Sequence, residues 1–363
     1  MHCLNVRLSS AFIECILHCA SLKSMPLPES AYIQLAPDLK ICRLLNGMWQ
    51  VGSNHGPINP QLAIAEMFQY VDAGFCTWEL ADHYGPAEDF IGHFRQQWIA
   101  ERGIESVGNF QALTQWVPRP GRMTRQIVEA NIDVSRSRMN TDCLDLLQFH
   151  WWEYRDLNYL DALRHLADLQ AEGKIKHIGL ANFDTERLQI ILDAGIKVVS
   201  NQVAFSLIDR RPLVKMTHFC QRHGISLLAY SSLCGGLMSE RWIGAPEPRR
   251  QQISNPTLLR AQQNINDWSG WRLFQELLLV LQSIARKHGV TLPNVALRYV
   301  LDQPQVAGVI VGSKLGRSQH VASNSRTFDF TLDAEDYGKL QSIWGRSNDL
   351  FGMIGDCGDE YRN

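Results

Sequence analysis

The chain of 363 residues has no C-x-x-C pair, no large excess of either charge, and no apolar run of the ~18 residues needed to cross a bilayer. A net charge of −2 gives no electrostatic case for nucleic acid or an anionic membrane as partner. The nine cysteines, from Cys3 to Cys357, are odd in number, and Cys15 and Cys19 have no neighbouring ligands to complete a metal site. They read as free thiols of a reducing compartment, taken as the cytoplasm. His83 and His93 lack partners at metal-ligand intervals, so no metal is expected. No serine lies in a G-x-S-x-G elbow, which weighs against a hydrolase of that kind. Lysine is absent from Arg43 through Gly173, between Lys40 and Lys174, a gap that matters below.

What is present is an ordinary globular composition. Hydrophobic residues make up 45% and charged residues 20%, enough to bury a sizeable core. Residues 1–25 differ from the rest: one acid, Glu14, interrupts the short apolar run AFIECILHCA, and no clean cleavage box follows. They read as an extension outside the fold, with organelle import through them as the alternative. Residues 30–363 read as one domain.

After a hairpin around AYIQLAPDLKICRLL, β-rich segments alternate with amphipathic ones. The expected strands are LLNGMWQVG, GFCTWELA, ESVGNFQALT, DCLDLLQFH, IKHIGLAN, KVVSNQVAF, ISLLAYSSL and VAGVIVGS. Segments such as QLAIAEMFQYVDA and LDALRHLADLQAEG repeat apolar residues at three and four positions, the spacing of a helix with one buried face. Eight strands, each followed by a helix, with near-continuous apolar strand cores, predict an α/β fold, a (β/α)8 TIM barrel. A doubly wound open sheet is the alternative, but no G-x-G-x-x-G follows the first strand. The stretch from Ser239 to Ser269 reads as a long irregular loop after strand seven, a lid or pocket wall. The tail LFGMIGDCGDEYRN is expected to pack on the barrel.

In a barrel of this kind chemistry sits at the carboxyl ends of strands. Those ends carry Glu79, Asp82, His83 and Tyr84; Gln115; Gln148 and His150; Asn182; Asn201 and Gln202; Tyr230, Ser231 and Ser232; and Ser313 and Lys314. Any one of them has an ordinary structural explanation. Together, amides suit a carboxamide, tyrosine suits a flat ring, and a Tyr and His suit proton delivery to a carbonyl oxygen.

The segments GFCTWELADHYGPAED, LDLLQFHWW, GKIKHIGLANFD, VVSNQVAFS, LLAYSSLCGGL and VIVGSKLGRSQHVASN occur in the order found in the aldo-keto reductases, which this chain resembles from about Ile33 onward. The resemblance implies NADP(H) as cofactor and a small-molecule aldehyde or ketone as substrate. It implies that Tyr84 is the proton donor and His150 orients the carbonyl. Asn182 and Gln202 would hold the nicotinamide carboxamide, with Tyr230 stacking on the ring and Ser231 and Leu233 near the pyrophosphate. Ser313, Lys314, Arg317 and Asn324 fall where the adenosine 2′-phosphate is gripped. Ala181 departs from the serine of many relatives. Trp49, Trp116, Trp151 and Trp152 are candidates for an aromatic substrate pocket, with core packing as the equal alternative.

Two departures bear on activity. The family's catalytic Asp is Glu79 here, and its Lys is Gln115; the lysine gap allows no local shift to restore it. A cation ~4 Å from a tyrosine at an effective dielectric of ~20 is worth roughly 4 kcal/mol, or about three pK units, in favour of tyrosinate. Without it, the expectation is that Glu79 is hydrogen-bonded by the Gln115 amide or partly protonated, since an unpaired buried charge is costly. Carbonyl reduction is expected to fall by about 10²–10⁴-fold. A silent NADP-binding protein, and a lyase or isomerase using Glu79 and His150, are the competing functions.

Overall fold

The computed structural model describes residues 26–52, 56, 58–253, 255–317 and 320–362, so the expectations for residues 1–25 lie outside the described residues. Strands β1 (Tyr32–Ala36) and β2 (Leu39–Cys42) form an antiparallel hairpin. Eight further strands, β3 (Leu44–Gly47), β4 (Thr77–Glu79), β5 (Gln111–Trp116), β6 (Leu146–His150), β7 (Ile178–Ala181), β8 (Ser200–Ala204), β9 (Ser226–Tyr230) and β10 (Val306–Gly312), are parallel and close into a barrel in chain order. The helices that follow them are α1 (Pro60–Asp72), α2 (Ala87–Arg102), α3 (Arg125–Arg138), α4 (Asn158–Ala171), α5 (Thr185–Asp193) and α6 (Met216–His223). Beyond β9 come α7 (Pro256–Trp268), α8 (Gly270–His288) and α9 (Leu292–Leu301). Beyond β10 come α10 (Val321–Ser325), α11 (Ala334–Trp344) and α12 (Leu350–Ile354).

Side-chain alternation sorts each strand into an outer and an inner face. In β6, Leu147 and Phe149 join the large core between sheet and helices, whereas Leu146 joins a second cluster inside the barrel. That inner cluster contains Leu45, Leu113, Leu228 and Ala307, closed from below by Leu35, Ala36, Leu39 and Ile41 of the hairpin. The hairpin therefore plugs one end of the barrel, and the inner positions further along the strands (Glu79, Gln115, Gln148, Gln202) form a polar layer above the apolar floor. Stacked layers of inward side chains are the usual filling of such a barrel, and the change from apolar to polar marks the functional end.

Two expectations are corrected. Strand β5 does not stop at Thr114: it runs to Trp116, with Gln115 in register with Gln148 and Trp116 with Phe149. The polar Gln115 is an inner residue of the strand, and Trp116 packs outward. The Ser239–Ser269 segment is not irregular throughout, because its second half is helix α7. Asn255 caps this helix by accepting from the Thr257 N–H, Pro256 fills the first turn, and Ala261, Ile265 and Trp268 form its buried face. The apolar spacing was present in the sequence but was diluted by the intervening Gln262, Gln263 and Asn264.

Helices α2 and α3 approach closely at Gly92, where a Cβ would lie 2.0 Å from the Arg138 carbonyl oxygen. Backbone cannot yield as a flexible side chain can. Gly92→Ala is expected to destabilise the fold by about 1–3 kcal/mol, the usual cost of overpacking, read as a lower urea midpoint with an unchanged slope.

Candidate active site

The polar layer is tied together by one amide. The Gln202 Nε2 group donates to Glu79 Oε1 at 3.0 Å and to Gln148 Oε1 at 3.0 Å. Gln202 sits on β8 and Glu79 on β4, four strands apart in the eight-stranded ring, so the bond spans the barrel interior. Glu79 is buried, and that burial pushes its carboxyl up to about 8, with the Gln202 hydrogen bond only partly opposing the shift. At neutral pH Glu79 is mostly protonated. The expected partner was Gln115; the structure instead gives Glu79 to Gln202, and Gln115, although buried, makes no side-chain hydrogen bond among the described residues.

Tyr84 is delivered by the turn after β4. The Asp82 N–H donates to the Gln115 carbonyl at 2.9 Å, the Val117 N–H donates to the Asp82 carboxylate at 3.2 Å, and the Tyr84 N–H donates to the Ala81 carbonyl at 3.1 Å. Asp82 therefore serves as a turn residue joining the loops after β4 and β5, and the exposed His83 pairs with it at 2.9 Å. The Tyr84 ring meets the Trp49 ring edge-on, centroids 4.9 Å apart, and the Trp49 Nε1–H donates to Thr257 of α7. Burial, and then the proximity of Glu79, Tyr361 and Asp82, hold the Tyr84 hydroxyl well above the ordinary tyrosine range. It is an O–H donor across the whole physiological pH range.

His150 ends β6 with its Nδ1 2.9 Å from the Ala181 carbonyl oxygen. A carbonyl only accepts, so Nδ1 carries the hydrogen. Burial lowers the imidazole to about 4, hence it is neutral and Nε2 presents a lone pair. Nε2 is buried with no hydrogen-bond partner among the described residues. This corrects the expected donation from His150 to a carbonyl oxygen: in this tautomer Nε2 can only accept.

Positions matched to a cofactor follow strands β7, β9 and β10 at the same end of the barrel. Asn182, with φ of 60°, follows β7, and its Oδ1 accepts from the Tyr230 hydroxyl at 2.8 Å. Ser231, Cys234, Gly235 and Gly236 all have positive φ, so the chain after β9 forms a tight cradle, with Leu233 half-buried in it. Ser313 is buried at the end of β10, its N–H bonded to the Gly47 carbonyl at 2.9 Å, while Lys314 and Arg317 are exposed and Asn324 lies on α10. The four tryptophans separate. Trp49 and Trp152 stand at the mouth, the latter with its ring 4.4 Å from that of His150. Trp116 and Trp151 belong to the core outside the strands, packed on Phe149.

The tail packs on the barrel, as its sequence leads one to expect, and it closes this mouth. Tyr361 places its hydroxyl 2.9 Å from that of Tyr230 and its ring 5.8 Å from His150. Glu360 pairs with the buried Arg211, which also holds Asp209. Glycine and acid in GDCGDEYRN hinted at a fixed conformation; nothing local pointed to where Tyr361 would land.

A sequence profile described as "Aldo/keto reductase family" matches residues 43–345. Similar proteins include glyoxal reductase of Bacillus subtilis (strain 168), 30% identical over 68% of this chain and 72% of that protein. Chloroplastic pyridoxal reductase of Arabidopsis thaliana is 26% identical over 75% of this chain and 73% of that protein. Flagellar radial spoke protein 5 of Chlamydomonas reinhardtii is 28% identical over 61% of this chain, which spans about half (49%) of that protein. A solved structure of a thermostable aldo-keto reductase with the inhibitor epalrestat superposes with a TM-score of 0.66 at 22% identity, covering 86% of this chain and 99% of that one. That likeness concerns the fold.

Two buried groups of the site, Glu79 and His150, each add a pH dependence of defined sign to the stability. Glu79, raised to about 8 when folded, binds more protons than in the unfolded chain, so its contribution is lost as pH rises toward 8. His150, lowered to about 4, acts oppositely and its contribution is complete above its unfolded value of 6.5. Of these two groups only Glu79 acts between pH 6.5 and 8, worth up to about 2 kcal/mol. Glu79→Gln is expected to flatten the fall of the urea midpoint across that window and to steepen its rise with pH between 4.5 and 6.5, where Glu79 opposes His150.

Proposed function

The chain belongs to the aldo/keto reductase family, and we propose that it is an NADP-dependent oxidoreductase whose carbonyl reduction is weakened by the loss of the catalytic cation. The observation that carries this reading is the convergence of Tyr84 and His150 on a mouth whose buried acid, Glu79, is protonated and amide-bonded rather than paired with a lysine. The positive-φ cradle after β9 suits a pyrophosphate, since such turns aim backbone N–H groups at anions. Exposed Lys314 and Arg317 suit a further phosphate, which favours NADP over NAD. Asn182, Gln202 and Tyr230 would hold the nicotinamide end.

Bound NADPH supplies the hydride. The protein's own part is to orient the reacting oxygen and move one proton. Tyr84, kept protonated, donates its O–H to a carbonyl oxygen. His150 cannot add a second hydrogen bond, because its only N–H is held by Ala181. An alcohol fares better: its oxygen accepts from Tyr84 while its O–H donates to the unpartnered His150 Nε2. The site therefore favours the alcohol over the carbonyl in binding. Trp49 and Trp152 would form the walls beside that oxygen. A silent cofactor-binding protein is the second reading, favoured by a buried Glu79 that bonds an amide and, among the described residues, no cation.

Quenching of intrinsic tryptophan fluorescence by NADPH tests the cofactor; its absence in every form of the chain overturns both readings. NADPH consumption with aromatic aldehydes tests the chemistry. Gln115→Lys is expected to raise the rate at least tenfold, and Glu79→Asp with Gln115→Lys to raise it further, because the shorter acid leaves room for the lysine. Family-like rates in the natural chain, slowed by Gln115→Lys, would show the departure to be an adaptation rather than a loss.

A further inference from the structure

We propose that the segment Asp356–Arg362 is a built-in occupant of the barrel mouth, and that NADP(H) binds in competition with it. This rests on Asn182 and Tyr230 being nicotinamide contacts, as read above, because the segment bonds to Tyr230 directly and packs on the Asn182 backbone.

The segment is fixed at its base. The Asp356 carboxylate accepts from the Thr185 N–H at 3.0 Å and the Thr185 hydroxyl at 2.6 Å. The Arg211 guanidinium, itself buried, donates to the Asp356 carbonyl at 3.1 Å and to the Glu360 carboxylate at 2.8 Å. Gly358, with φ of 92°, lies so close to the barrel rim that a Cβ there would be 2.1 Å from the Asn182 carbonyl oxygen. The Arg362 guanidinium stacks 3.8 Å from the Tyr154 ring centroid and donates to the Trp151 carbonyl at 2.7 Å.

Its tip lies in the site. Tyr361 bonds to the Tyr230 hydroxyl, which in turn bonds to Asn182 Oδ1, so one chain of hydrogen bonds links the segment to both residues. The same ring packs edge-on against His150 and Trp152, with centroids 5.8 and 6.0 Å away, and Arg260 of α7 lies 4.0 Å over it. Flat-ring stacking on Tyr230 and access of a substrate oxygen to His150 both need space beside Tyr361. A cleft of about 760 Å³ beside α7, lined by Arg249, Arg260, Gln263, Ile354 and Glu360, adjoins the Tyr361 ring through Arg260 and offers room for that side chain to leave the mouth.

The test compares the full chain, a chain ending at Gly355, and Tyr361→Ala, which retains the Asp356 and Glu360 anchors and so guards against misfolding of the shortened form. Each is titrated with NADPH by fluorescence. Separately, without cofactor, carbethoxylation of His150 by diethyl pyrocarbonate is followed by peptide mass mapping. The expectation is at least tenfold tighter NADPH binding and at least tenfold faster His150 labelling in both altered chains. Equal NADPH affinity in all three chains overturns the proposal and leaves the cofactor reading intact. Unchanged His150 labelling likewise overturns it. No NADPH binding by any chain, with faster labelling in the altered ones, overturns the cofactor reading and the competition together.

Discussion

Everything at the mouth of this barrel depends on where two hydrogens of the Gln202 amide go. They bridge Glu79 on the opposite side and Gln148 nearby, closing a polar layer above an apolar floor. A carboxylate at that depth needs a cation or a proton, and among the described residues no cation hydrogen-bonds or ion-pairs with Glu79. The proton is the remaining solution, and burial supplies the drive for it. A neutral Glu79 then accepts from an amide without leaving an unpaired charge, and Tyr84 beside it stays protonated.

A second constraint runs through His150. The Ala181 carbonyl fixes the tautomer, so the ring enters the site as an acceptor. The pair Tyr84 and His150 thereby offers one donor and one acceptor, matching a hydroxyl more closely than a carbonyl. The Asp356–Arg362 segment sets Tyr361 against both His150 and Tyr230, which couples access to His150 with access to the proposed cofactor end. The ion-pair group of Asp209, Arg211 and Glu360 keeps it there. With Arg211 almost fully buried, that group is costly to disrupt singly, which suits a fixed base and a movable tip.

Strand and helix order was readable because each element carries its own periodicity: β6 alternates inner Leu146, Gln148 and His150 with outer Leu147 and Phe149. The same rule explains the errors. Trp116 and Trp151 neighbour the inward residues Gln115 and His150 in sequence but point the other way, because adjacent strand positions face opposite sides. Helix α7 was overlooked because the glutamines and asparagine between its apolar positions resemble loop composition.

The barrel, the polar residues at the carboxyl ends of its strands and the absence of lysine from the stretch that builds β4 to β6 were all legible in the sequence, since periodicity and residue identity are local properties. Only the tertiary structure decided which amide meets Glu79, which nitrogen of His150 faces the site and where Tyr361 comes to rest. Each of these is set by contacts between residues far apart in the chain: 123 positions for Gln202 and Glu79, 31 for His150 and Ala181, 131 for Tyr361 and Tyr230. A one-dimensional pattern carries no information about such distances until the sheet closes and brings the strand ends together.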